Sequence, residues 1–174
     1  EIKRTLGVVP DGRGLYGRMT ARENVAYYGE LHGMSQTTIR DRIDDLIATL
    51  DMEDFIDRRT EGFSQGQRVK VAIARAVIHQ PQTVLLDEPS NGLDVMSTRA
   101  LRAYIRDLKT QGHSVVLSTH IMQEVAALCD RIVIIAAGKI AADGTQEELL
   151  ERSGSETIED AFVRLIGSEE GLLA

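Results

Sequence analysis

Apolar residues recur at helical spacing through the first half of the chain and gather into short unbroken runs in the second. Thr20 and Glu23 stand at the head of the first periodic stretch with capping-box spacing, which predicts a helix from Thr20 to near Gly33. Ser35 is placed to cap the next helix, in which Ile39, Ile43, Leu46, Ile47 and Leu50 fall on one face. After "DRRTEGFSQGQ", Val69, Ala72, Ile73, Ala76 and Val77 mark a third amphipathic helix that must stop before Pro81. The runs "TVLLD", "SVVLST" and "RIVIIA" follow, separated by helical patterns. That alternation predicts βαβ units, hence an α/β fold with a parallel sheet covered by helices. "IKRTLGVV" reads as a further strand, and "KIAADG" as a last one after a turn at Gly138. Helices over 145–152 and 157–166 are expected to finish the chain.

Composition narrows the class. The 174 residues are enough for one full-sized core, and 43% hydrophobic with 27% charged residues is an ordinary globular balance. A formal charge of −7 and a pI near 5.1 argue against a broad nucleic-acid surface. The single cysteine, Cys129, excludes an internal disulfide, and its context "AALCDRI" predicts a buried thiol in a helix. No apolar run approaches the roughly 20 residues of a membrane span, so a membrane role would run through a partner. The chain opens on Glu1 with almost nothing before its first element, as if a front segment were missing.

Candidate chemistry clusters around "TVLLDEP". A strand ending in Asp87 and Glu88 sets two carboxylates at the carboxyl edge of a parallel sheet, where ligands of such folds bind. Asp87 could hold Mg²⁺ while Glu88 polarises a water; taken alone, the pair is equally an acidic helix cap after a strand. In "FSQGQ", Ser64 can cap a helix and Gly66 can let its first N–H groups approach an anion, though by itself this is only a capped helix. "STH" brings His120 to the end of the next strand, either as a donor to a phosphate or as a half-buried capping residue. "SNGLD" carries Asp94 after a glycine turn, otherwise a plain loop and helix start. "DGRGLYG" matches G-x-G-x-x-G, but no helix begins at Gly17 and no acid-tipped strand follows it, so the match to a dinucleotide loop is coincidental.

In order and spacing these segments resemble the ATP-binding subunit of ABC transporters, over essentially the whole chain. "FSQGQ" resembles the signature motif, "TVLLDEP" Walker B with its following glutamate, "SNGLD" the D-loop, His120 the switch histidine and "VVPDGRGLYG" the Q-loop hinge. "GLYGRMTARENVAYYGELHGM" and "MQEVAALCDRIVII" are most similar to the sodium-exporting, NatA-like kind among ABC-2 type exporters. The resemblance implies ATP and Mg²⁺ as cofactors, with Asp87 organising the metal, Glu88 as general base and His120 sensing the γ-phosphate. It implies that Ser64, Gln65, Gly66 and Gln67 face the ATP of an opposing subunit, with Asp94 in the D-loop and Asp11 at the hinge, near the metal. Its partners would be a second ATP-binding subunit in a homodimer and an integral membrane permease, at the cytoplasmic face of the membrane. Leu15, Tyr16, Tyr27 and Tyr28 are candidate anchors for that permease, each equally a local core residue.

The sequence departs from the family pattern in three places. Gln65 stands where glycine is commonest, and Asp11 where glutamine is expected. The phosphate loop G-x-x-x-x-G-K-[ST] does not occur in these residues. The expected layout is therefore a partial ATP-binding domain, with a helical subdomain over about 15–80, core elements over 1–14 and 81–144, and terminal helices over 145–174. An ATPase parent and an inactive chain on its own are expected. A truncated interaction module is the alternative, which an upstream reading frame bearing the phosphate loop would exclude. A missing strand before "RIVIIA" would also leave an uncovered apolar sheet face.

Overall fold

The computed structural model describes residues 2–12 and 14–170, which divide into a unit ending at Ser118 and a second beginning at Thr119. In the first unit a short helix α1 (Ile2–Thr5) leads into strand β1 (Leu6–Val9). Helices α2 (Ala21–Leu31), α3 (Gln36–Leu50) and α4 (Gln65–Val77) follow, then β2 (Thr83–Asp87), α5 (Val95–Thr110) and β3 (Ser114–Ser118). Thr20 and Glu23 close the capping box of α2, and Ser35 accepts from the Thr38 amide at the head of α3.

The three strands form one parallel sheet in the order β1-β2-β3, in register from Leu6 opposite Thr83 to Asp87 opposite Ser118. Alternation buries Val9, Val84 and Leu86 on one face of the sheet, and α4 contributes the buried residues Val69, Val71, Ile73 and Val77. The opposite face stays apolar and open: Val8 is 46% and Val116 52% exposed. The opening strand is shorter than its sequence suggests, because Ile2–Thr5 turn into helix. Its partner cannot extend the ladder backward, since Pro81 lies just before β2 and offers no N–H.

The second unit contains α6 (Met122–Leu128), β4 (Ile132–Ala136), β5 (Lys139–Gly144), α7 (Gln146–Ser153) and α8 (Ile158–Glu170). Here "RIVIIA" departs from the parallel arrangement expected of it and pairs antiparallel with "KIAADG". A two-residue turn decides this: Ala137 at φ 48° and Gly138 at φ 75° give the left-handed pair that closes a tight hairpin. Ile132 and Ile134 pack with Val125, Leu149 and Ala161, while Val133, Ile135 and Ile140 remain exposed. Cys129 is half-buried and caps the end of α6 in extended conformation, rather than sitting inside a helix. Burial, with Asp130 and Glu124 nearby, pushes its thiol up, away from the reactive thiolate.

Where α2 ends and α4 has just ended, His32 and His79 stack face to face with ring centres 3.6 Å apart. Neither nitrogen of His79 makes a hydrogen bond of good geometry. Burial first, then the neighbouring His32, lowers its pKa to about 4, which the Leu6 backbone offsets only slightly. Burial lowers His32 as well. Below its ordinary pKa of 6.5, His79 takes up a proton in the unfolded chain that the folded chain refuses until about pH 4. The stabilisation is therefore complete above pH 6.5 and declines as pH falls from there toward about 4. Urea midpoints measured across that window should fall more steeply for the natural chain than for His79→Phe; parallel curves would remove the pair from the acid response.

Candidate functional site

The carboxyl edge of the parallel sheet collects the acidic candidates of the first unit. Val9 and Leu86 are partners in register, so Asp11 and Asp87 follow the ends of adjacent strands at one edge. Asp11 lies exposed in the turn after β1, whereas Asp87 is half-buried as the last residue of β2. Glu88 comes next and adopts a left-handed backbone, φ 44°, that costs a non-glycine residue roughly 1–3 kcal/mol. The conformation is held from both sides: the Glu88 amide donates to the Ser118 carbonyl at 2.9 Å, and the Glu88 carbonyl accepts from the Asn91 amide at 3.2 Å. A strained acid at the carboxyl edge of a parallel sheet is the kind of outlier that accompanies function.

Ser64 and Gln67 form a reciprocal capping box at the head of α4, the Gln67 amide donating to Ser64 Oγ at 3.2 Å and the Ser64 amide to Gln67 Oε1 at 3.1 Å. Asp94 likewise caps α5, its Oδ1 accepting from the Ser97 amide at 2.9 Å and its Oδ2 from Ser97 Oγ at 2.8 Å. Those bonds, the backbone one foremost, hold the Asp94 carboxyl below its ordinary pKa. The two helix starts touch. A Cβ on Gly66 would lie 2.8 Å from Ser97 Oγ, so glycine here is demanded by the close passage of α5. Gln65, the departure from glycine in the signature-like motif, lays its side chain beside Gly92, which sits at φ 73° in "SNGLD". "FSQGQ" and "SNGLD" thus pack against each other. Sequence spacing alone does not reveal this contact.

His120 is exposed, in the second unit, in the bend between β3 and α6. Beside it Thr119 Oγ1 donates to buried Glu124 at 3.1 Å and accepts from the Ile121 amide at 3.1 Å.

The loop between β1 and α2 is fastened by a residue that motif matching misses. Arg75 of α4 is only 6% exposed and donates from Nη1 to the Gly14 carbonyl at 2.9 Å and from Nη2 to Tyr28 Oη at 2.6 Å. Its guanidinium also lies 4.0 Å from the centre of the Tyr28 ring. Tyr28 is therefore committed internally, which leaves exposed Tyr16 and Tyr27, packed edge to face, as the surface aromatics of this region. Asn24, fully buried, accepts from the Tyr16 amide and donates to the Tyr16 and Thr20 carbonyls, closing the rest of the loop. The only sequence signal for Arg75 is a cation inside the apolar run "VAIARAVI".

Asp11 and Asp87 are hard oxygen donors of the kind Mg²⁺ takes when phosphate oxygens complete its shell. Among the described residues no group of three or more His, Cys, Asp or Glu could hold an ion unaided. The donor set therefore fits a cation shared with a phosphate ligand, not one caged by protein.

The ABC transporter family pattern matches residues 1–91. The chain is 44% identical, over 94% of its length and 67% of the relative's, to the ABC transporter ATP-binding protein NatA of Bacillus subtilis. It is 36% identical to the Nod factor export ATP-binding protein I of Rhizobium meliloti, over 88% of its length and 46% of that protein's. A solved structure of an ATP-binding subunit of an ABC transporter superposes with a TM-score of 0.83 at 27% identity, covering 94% of this chain and 69% of that one. The chain thus spans about half to two thirds of the relatives it matches. No helix among the described residues is long and apolar enough to cross a membrane. With a matching fold, a matching pattern over its first half and a close relative along nearly its whole length, the chain belongs to the ABC transporter family, as part of its ATP-binding domain.

Proposed function

We propose that this chain is the Walker B and signature portion of an ATPase subunit that drives an exporter. Glu88 carries the reading: it is an acid whose backbone is held in a strained conformation directly after the Asp87 strand end. Asp87, with Asp11 beside it, would hold Mg²⁺, which when bound offsets the charge of the phosphates. Glu88 then takes the proton of the attacking water as general base. The packed start of α4, with Ser64, Gly66 and Gln67, presents helix N–H groups to the nucleotide of a second copy, and Asp94 keeps the neighbouring helix start in place. His120 would contribute a γ-phosphate contact. Exposed Tyr16 and Tyr27, with half-buried Leu15, offer the face that a membrane permease would grip from the cytoplasmic side. Sodium is the cargo the NatA-like pattern favours.

The test uses the longer protein that includes a phosphate loop. Glu88→Gln should keep Mg-ATP binding while slowing phosphate release by about 100-fold or more. Unchanged release would take the base role away from Glu88. The present chain, lacking the loop lysine and its ring of N–H groups, should show no micromolar Mg-ATP binding by calorimetry.

A further inference from the structure

In the first unit, the end of α3, α4 from Gly66 to Ile73 and α5 from Ser97 to Asp107 line a half-open cavity of about 300 Å³. Its walls are mainly apolar, supplied by Leu50, Val69, Ile73, Leu93 and Leu101. Such a volume stands at the small end of small-molecule sites, which run from roughly 300 to 1,000 Å³. Set into this wall is Tyr104, only 8% exposed. Its hydroxyl makes no hydrogen bond among the described residues and is open to water. With no protein partner, the hydroxyl's hydrogen bond falls to water or to a ligand acceptor, since most such groups are satisfied. Burial pushes the phenol up, with Arg42 and Asp107 as smaller opposing influences, so it remains a donor.

The charged residues at the rim are already engaged. Lys70 donates to the Asp51 carbonyl at 3.0 Å and lies 3.7 Å from its carboxylate, and Asp107 accepts from Gln111 Nε2 at 2.7 Å. An anionic ligand would face the Asp51 and Asp107 carboxylates with Lys70 already paired, and the apolar walls would strip water from a charge of either sign. We propose that this cavity binds a neutral, mainly apolar small molecule carrying a single hydrogen-bond acceptor, which Tyr104 receives. Because Gly66 and Ser97 also line it, an occupant would set the spacing between the starts of α4 and α5. That consequence rests on the function proposed above; the binding does not, and requires no nucleotide.

Benzophenone is a suitable probe, being neutral and apolar with one carbonyl acceptor, and it labels its surroundings under near-ultraviolet light. Labelling of the chain should saturate with concentration and map to Leu50, Ile73 and Tyr104 or their neighbours. Tyr104→Phe should weaken it about threefold to tenfold, the worth of one hydrogen bond, without lowering the unfolding temperature, since no protein partner is lost. Ala103→Phe, a change at an exposed position on the rim, should abolish it. Labelling that never saturates, that is equal in all three proteins, or that concentrates at Val8 and Val116 on the open sheet face would overturn the proposal. So would crosslinks joining two copies of the chain through the cavity, which would make the occupant protein instead.

Discussion

Replacing Arg75 by leucine should lower the stability of the chain by about 2–4 kcal/mol and release the loop around Gly14. Against the 5–15 kcal/mol typical of whole domains, that is a large fraction, and it comes from a side chain outside every matched motif. The cost has identifiable parts: the bond to the Gly14 carbonyl, the bond to Tyr28 Oη and the packing of the guanidinium over the Tyr28 ring. Leucine leaves both oxygens without their donor. Lysine keeps the charge but cannot reach two acceptors and stack at once, so Arg75→Lys should fall between the two. Urea unfolding of Arg75→Leu, Tyr28→Phe and the double variant should give a coupling of about 1 kcal/mol or more. Additive losses would mean that the two residues stabilise the fold independently. Faster amide exchange between Gly14 and Tyr16 in Arg75→Leu would separate loosening of the hinge from a general loss of stability.

The second large effect is expected at Gly7. A Cβ there would run into the Ala76 carbonyl oxygen and come within 2.9 Å of the Pro81 ring. Neither neighbour can easily retreat, because β1 is tied to β2 by the ladder and Ala76 is part of the buried face of α4. Gly7→Ala should therefore cost about 3 kcal/mol or more, among the larger values for a single methyl group. Gly12→Ala, with nothing within 4 Å of the new carbon, should change stability by less than about 0.5 kcal/mol. Equal effects of the two substitutions would mean that α4 does not pass β1 as closely as described.

The candidate site residues are supported by neighbours of very different origin. Gln65 is instructive, since it departs from the residue commonest at that place in the signature-like motif and packs its side chain beside Gly92. Gly66 shows the reverse dependence. The sequence suggests a glycine that lets phosphate approach a helix end, while the fold adds a steric demand from Ser97. A substitution at Gly66 would thus act on packing as well as on any bound anion.

Local physics was legible in the sequence wherever the controlling residues lie within a turn of one another. Thr20 with Glu23, and Ser64 with Gln67, close capping boxes at the helix starts their spacing implies. Ile39, Ile43, Leu46 and Leu50 are buried on one face of α3, as a period of 3.6 requires. The motif order likewise identified the family before any fold was considered, because it is a linear property. The partner of a strand is not linear information. "RIVIIA" reads the same whether it joins a parallel sheet or turns back on "KIAADG", and the left-handed pair at Ala137 and Gly138 decides for the hairpin. Tertiary structure alone placed Arg75 on the Gly14 carbonyl 61 residues away, and set Gly7 against Ala76. It alone left the Tyr104 hydroxyl in an apolar wall. Sequence thus determined helix ends, apolar faces and the family, because each depends on neighbours along the chain. The fold decided which distant groups meet, since those contacts depend on shape complementarity that no local spacing encodes.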